Sequence, residues 1–283
     1  MKTPRPELNQ TLFKRILVPI DFSTLSRSAA LYALDVAKQL KAELVLVSVI
    51  EVLRGNSTVL NWKKLEDQLI RDAKEQSTQF LKELKPFSDG VKMSYSTIIG
   101  ASIEEMILDF AGKSEIDLII IGTRGASGLK AVILGSNAAA LINKSQIPII
   151  AIPGDLKYQG FDRIVLATDM VDLEKRVAEV VKFAKVFNSQ IDILHITDTY
   201  NEQPPQSQLE ASVTKVAGYS RVSVHIVSSE DVTTGLNNFV VEHGADLLVM
   251  FTHELGLFEK LFGKGQTRKM AFHGEVPLLA MKR

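Results

Sequence analysis

The stretch Phe13-Lys14-Arg15-Ile16-Leu17-Val18-Pro19-Ile20-Asp21 decides the fold, because it occurs twice: it returns as Phe161-Asp162-Arg163-Ile164-Val165-Leu166-Ala167-Thr168-Asp169. Each copy is a short β-branched and leucine-rich run that ends in aspartate and leads into a segment of helical period. Further along, Asp117-Leu118-Ile119-Ile120-Ile121 returns as Asp246-Leu247-Leu248-Val249-Met250. The aspartate of each copy stands 31 residues before the proline of an apolar-proline pair, Ile147-Pro148 and Val276-Pro277. Anchors repeated in one order mark an internal duplication. The copies divide near Gly154 to Gly160, where Pro, Gly and Lys gather. The expected domains are therefore 1–154 and 160–283.

Within the first half, strands are expected near 15–20, 43–50, 91–98, 117–122 and 147–152, with helices near 24–41, 61–85, 101–113 and 136–144. Ala30, Ala33, Leu34, Ala37 and Leu40 form the apolar stripe of the first helix, and Ser23 stands at its N-cap position. The strands are near-continuous apolar runs, as strands buried on both faces must be. Strand alternating with helix implies an α/β fold: two tandem Rossmann-like domains, each a five-stranded parallel sheet of order 3-2-1-4-5 with helices on both faces. In the second half the strands fall near 162–168, 190–196, 221–227, 246–251 and 276–281. That half is shorter after its second strand, where the first half carries the charged segment 61–85 and the single tryptophan, Trp62. No role beyond packing is assigned to Trp62.

Composition bounds the function. The chain has 283 residues, 46% apolar and 23% charged, with Lys plus Arg equal to Asp plus Glu at 33 each. That balance fits two globular domains and gives no bulk charge for nucleic acid or an anionic membrane. The absence of cysteine excludes disulfides, thiolate metal sites and a cysteine nucleophile. The polar N-terminus reads as a frayed tail, and its first apolar run, Ile16 to Ile20, is too short for a signal core. No run approaches the roughly 18 apolar residues of a membrane span, so the expected location is cytoplasmic. The five histidines, among them His195, His225 and His253, show no metal-ligand spacing and read as packed or solvated residues. No nucleophile–base arrangement stands out either.

In an open parallel sheet, ligands bind beyond the carboxyl ends of strands where the order reverses. The order 3-2-1-4-5 puts Asp21, ending the first strand, beside Gly122, ending the fourth. After Gly122 come Thr123-Arg124-Gly125-Ala126-Ser127-Gly128 and a loop to Gly135-Ser136-Asn137. Glycines let backbone approach phosphate oxygens, and Gly135-Ser136-Asn137 opens a helix whose free N–H groups favour an anion. Arg124 is placed to add a charge-assisted bond, and Ser136 to donate to phosphate or ligate a divalent ion. The loop is neither a Walker A sequence nor the Gly-x-Gly-x-x-Gly fingerprint. Spacing alone leaves two readings open, a phosphate loop and a set of tight turns. Asp21 likewise reads as a ligand group or as a helix-capping residue.

Gly122-x2-Gly125-x9-Gly135-Ser136 resembles the ATP-binding signature of the universal stress protein family, Gly-x2-Gly-x9-Gly-Ser/Thr. Ile16 to Ser23 is similar to that family's first strand and turn, and the apolar-proline fifth strand fits as well. The resemblance covers both halves. It implies that Asp21 and the backbone near Pro19 and Val49 hold adenosine, while Gly122, Arg124, Gly125, Gly135, Ser136 and Asn137 cradle the phosphates of ATP, with Mg accompanying them. It also implies pairing through fifth strands, so the halves are expected to form an intrachain pseudo-dimer with Ile150 near Leu279. A further homodimer and an unidentified protein partner stay open, as do ADP and AMP in place of ATP.

By register, the second half carries Phe251, Glu254 and Lys264 where the first has Gly122, Gly125 and Gly135, although Asp169 survives. A bulky ring and a carboxylate replace groups that phosphate needs, so this half is expected to keep the fold and lose triphosphate binding. Its apolar loop, Leu255, Leu257, Phe258, Leu261 and Phe262, reads more simply as the counterpart of Leu129 to Leu134 than as a partner surface. The expected function is a nucleotide-regulated stress-response protein, at most a slow ATPase. The alternatives are an interaction protein independent of nucleotide and an enzyme that activates a substrate with ATP.

Overall fold

The computed structural model describes residues 13–52, 59–125, 132–133, 135–154, 156–197, 206–252 and 276–282. The segment 253–275, with Glu254, Lys264 and the apolar loop, lies outside the described residues, as do the side chains of Trp62, Arg124 and Gly125.

In the first half, β1 (Arg15–Pro19), α1 (Thr24–Leu40), β2 (Glu43–Glu51), α2 (Val59–Leu84), β3 (Met93–Gly100), α3 (Ile103–Lys113), β4 (Leu118–Gly125), the two-residue β5 (Val132–Ile133), α4 (Ser136–Lys144) and β6 (Ile149–Pro153) follow in order. The second half continues with β7 (Arg163–Ala167), α5 (Leu173–Phe187), β8 (Gln190–Thr197), α6 (Gln206–Ala217), β9 (Val222–Ser228), α7 (Val232–Glu242), β10 (Leu247–Thr252) and β11 (Leu278–Lys282). The missing length of the second half is visible in its helices, since α6 has 12 residues where α2 has 26.

All strands share one sheet, with the path β3-β2-β1-β4-β6-β11-β10-β7-β8-β9. Counting each half's own main strands, both run 3-2-1-4-5, and every pairing along the path is parallel except the central one. There β6 and β11 pair antiparallel, with Ile150 opposite Leu279. Both residues are fully buried. The two fifth strands thus cover each other's edges, which would otherwise present unpaired backbone. The halves form a pseudo-dimer within one chain.

α1, α2, α5 and α6 pack one face of the sheet, and α3, α4 and α7 the other. On the first face the core runs unbroken across the junction. Phe13 and Phe161, the opening residues of the two repeats, both contact Phe183, while Tyr158 and Phe161 contact Tyr32 of α1. Tyr158 Oη also donates to Gln39 Oε1 at 2.9 Å.

One sequence expectation needs correction. The fourth strand does not end at Gly122: it continues through Gly125, and Arg124 and Gly125 pair antiparallel with Ile133 and Val132. The reason is pairing with β6, which extends to Thr123 opposite Pro153 and is reinforced by the Thr123 hydroxyl donating to the Ile152 carbonyl at 3.2 Å.

Candidate functional site

β1 connects toward β2 on one side and β4 toward β6 on the other, so their carboxyl ends open a crevice between diverging connections. A cleft of about 280 Å³ lies there. Pro19, Asp21, Val49, Gly122, Gly135, Ser136 and Asn137 all line it. Residues that are far apart in the chain are thereby brought together at one strand-end crevice. Arg124 and Gly125 continue β4 and pair with Ile133 and Val132 of β5.

Three kinds of wall are present. Val47, Val49, Ile121, Ile103, Ile107 and Leu141 make an apolar slot. Sequence reasoning missed Ile103, Ile107 and Leu141, although the four-residue step from Ile103 to Ile107 marks one face of α3. The second wall is the turn after β1. Asp21 Oδ1 accepts the Ser23 N–H at 3.0 Å, and Ser23 caps α1 by accepting the Ser26 N–H at 3.2 Å. The capping role therefore falls to Ser23, with the exposed Asp21 bracing the turn before it. Burial works against charge on the Asp21 carboxyl, but hydrogen bonds from Ser23 and Ser26 outweigh it and hold the group below its ordinary value. Among the described residues Asp21 has no salt bridge, so its charge is not internally neutralised.

The third wall is the start of α4. Gly135 is its N-cap and offers no side-chain hydrogen bond, whereas α1 and α3 are closed by Ser23 and Ser102. Ser136 and Asn137 are exposed there. Uncapped N–H groups at a helix start, with the positive end of the dipole behind them, suit an oxyanion. The glycines are not explained by turn geometry, since neither Gly122 nor Gly135 has positive φ. Gly122 is favoured by close approach, because a Cβ there would lie 3.2 Å from the Leu25 carbonyl oxygen, a tighter contact than side chains ordinarily make. At Gly135 a Cβ would meet nothing within 4 Å, which leaves the approach to α4 open.

The arrangement offers an acceptor for hydroxyl donors, an apolar slot for a flat ring and a donor site for an anion. Among the described residues no cluster of three His, Asp or Glu side chains is arranged for a metal. His195 Nδ1 lies 2.9 Å from the Thr168 carbonyl, and His225 Nε2 donates to Asp192 at 3.2 Å. Among the described residues no helix is long and apolar enough to cross a membrane.

Comparison with known proteins agrees with this geometry at the level of fold and family. The model of the universal stress protein family matches residues 12–153 and again 160–282. A universal stress protein of Methanocaldococcus jannaschii is 32% identical over 147 residues, covering 50% of this chain and 84% of that protein. The universal stress protein A homolog 1 of Coxiella burnetii is 30% identical over 144 residues, covering 50% of this chain and 96% of its own length. The solved structure of a universal stress protein from Archaeoglobus fulgidus superposes over 95% of this chain and 98% of that one, with a TM-score of 0.72 at 22% identity, which supports the whole two-copy fold. The chain therefore belongs to the universal stress protein family and carries two copies of its domain in tandem.

Proposed function

We propose that this protein is an ATP-binding stress-response protein of the cytoplasm that acts by nucleotide-linked regulation, with one nucleotide site, in residues 1–154. The observation that carries this reading is the single cleft that joins an ionised Asp21, an apolar slot and the uncapped start of α4. Adenosine would lie against Pro19 and Val49 with Asp21 accepting from the ribose hydroxyls. The phosphates would lie toward Gly122, Arg124, Gly125, Gly135, Ser136 and Asn137, and Ser136 would offer its hydroxyl to them or to an accompanying Mg ion. Nucleotide would change the surface presented around the cleft, and a protein partner would read the altered surface. Hydrolysis is expected to be slow, because the groups named position the phosphates and Asp21, engaged at the ribose, is not placed as a base for an attacking water. Residues 160–283 would contribute the fold without a triphosphate site.

Titration calorimetry of nucleotide-stripped protein with Mg-ATP tests this reading. One equivalent per chain is expected, lost in Gly125→Glu, which writes the second half's residue into the first. Two equivalents, or none, would overturn it. A nucleotide-independent interaction role is the second reading. It is favoured by the second half, which keeps the same sheet order with Phe251 in place of Gly122. A Gly125→Glu/Ser136→Ala double variant that retained full cellular function would decide for it.

A further inference from the structure

Small residues meet where β4 passes beneath the first turns of α1: a Cβ on Gly122 would stand 3.6 Å from the Ala29 Cβ. The second half fills the same point with two large residues. Phe251 corresponds to Gly122, since each precedes the threonine (Thr252 and Thr123) that donates its hydroxyl to the fifth strand. Arg176 corresponds to Ala29, since each lies twelve residues before a left-handed C-cap, Asn188 and Lys41. The buried positions of α1 and α5 agree in that register from Ser26 and Leu173 to Leu40 and Phe187, except that buried Tyr32 corresponds to exposed Glu179.

Arg176 is a buried cation, with its side chain 5% exposed. Its Cζ lies 5.6 Å from the centroid of the Phe251 ring, and Nη1 donates to Asp169 Oδ1 at 2.6 Å. Among the described residues, Nε and Nη2 meet no hydrogen-bond partner. A buried guanidinium with unmet donors is not a device for stability, because an apolar residue of similar volume packs such a position at least as well. What Arg176 does achieve is specific. Asp169 is the repeat of Asp21, and only Asp169 carries a salt bridge among the described residues.

We propose that Arg176 confines nucleoside recognition to the first half by taking up the carboxylate of Asp169, the group that would otherwise accept ribose hydroxyls. The chain supplies its own cation where the first half leaves a ligand acceptor. The guanidinium adds the attraction of a full opposite charge to its hydrogen bond, at 2.6 Å in a position where its side chain is 5% exposed, so a neutral ribose hydroxyl does not displace it. The inference rests on the reading of Asp21 as the ribose acceptor in the first half.

The test uses the full chain and adenosine, which avoids the phosphate loop. Arg176→Ala/Phe251→Gly writes the first half's pair into the second, and two equivalents of adenosine per chain are expected against one for the wild type. One equivalent in the folded double variant would overturn the proposal. A second measurement needs no new cavity: carboxyl ¹³C titration of Asp169 in Arg176→Met and Arg176→Lys. The midpoint should rise by about one unit or more in the Met variant, as loss of an adjacent cation requires, and return toward wild type in the Lys variant. A midpoint indifferent to residue 176 would sink the idea. If the wild type binds no adenosine, the nucleotide reading fails by itself, and the titration still decides whether Arg176 holds Asp169.

Discussion

The two halves of the chain share the hydrogen bonds that fix the ends of their first and fourth strands and differ in the side chains packed beside those ends. Asp117 accepts the N–H of Arg15 at 3.0 Å, and Asp246 accepts that of Arg163 at 2.8 Å, tying the fourth strand's start to the first in each copy. Asp21 and Asp169 each accept the N–H two residues on, from Ser23 and Val171. The residue between is left-handed in both, Phe22 at φ 61° and Met170 at φ 70°. The aspartate closing the first strand is thus demanded by the turn. Its retention as Asp169 is a property of the fold and says nothing of a ligand. The informative differences are Gly122 against Phe251 and Ala29 against Arg176, where side-chain volume and charge change within the same sheet order.

The comparison treats the halves as two copies, yet the aromatic core joins them. Phe161 is 1% exposed and touches Tyr32 from the first half and Phe183 and Phe187 from the second. Phe161→Ala is expected to cost about 3–5 kcal/mol, the usual range for a buried phenylalanine. Urea denaturation followed by probes in each half should show one transition moving as a whole. Separate transitions, with only the second displaced, would break the picture of a single folding unit and return the halves to independence.

Much of this was legible in the sequence. The strand order followed from alternating apolar runs and the repeat, and the contact of Ile150 with Leu279 from the resemblance to universal stress proteins, with covered strand edges as its physical consequence. The cleft residues Asp21, Gly122 and Gly135 were legible because their positions follow from strand ends. Arg176 was not. A lone arginine in an amphipathic helix looks solvated, and its burial depends on a ring 75 positions away and on an aspartate across the turn. The extension of β4 to Gly125 was also hidden, since glycine and threonine after an isoleucine run read as a loop.

A buried carboxylate sharpens the contrast further. Asp192 of β8 stands in the register position of Val45 in β2 and is 3% exposed. Burial opposes its charge, but the His225 hydrogen bond and the Arg163 charge outweigh burial and hold the carboxyl below its ordinary value of 3.8. A carboxyl lowered on folding contributes stability fully above its unfolded pKa and loses it as pH falls through the folded one. Asp192→Val, the first half's own residue, removes the partner of Arg163 and His225 and is expected to cost about 1–3 kcal/mol at pH 7, the lower end applying because both remaining groups reach solvent. Below about pH 4 the wild type should lose stability that the variant, lacking the group, does not lose, so the gap between the two narrows. Denaturation midpoints that shift in parallel across this pH range would show that Asp192 is not held by its partners.

The smallest effect is expected at the outer rim of the cleft. Lys144 of α4 lies 3.0 Å from Glu104 and 3.6 Å from Glu105 of α3, joining two helices that line the site. The hydrogen bond to Lys144 holds the Glu104 carboxyl below its ordinary value, yet the pair stands in solvent, which screens it. Lys144→Ala should leave the thermal midpoint unchanged and alter nucleotide affinity by less than about twofold, since exposed pairs of this kind contribute little. The shape of the slot depends instead on Ile107, Ala138 and Leu141, which are buried between α3, α4 and the sheet. If calorimetry in low and high salt found a larger, salt-sensitive loss in Lys144→Ala, the first half would owe its binding to surface charge as well as to its glycines. The contrast with the second half would then extend from the strand ends to the helices around them.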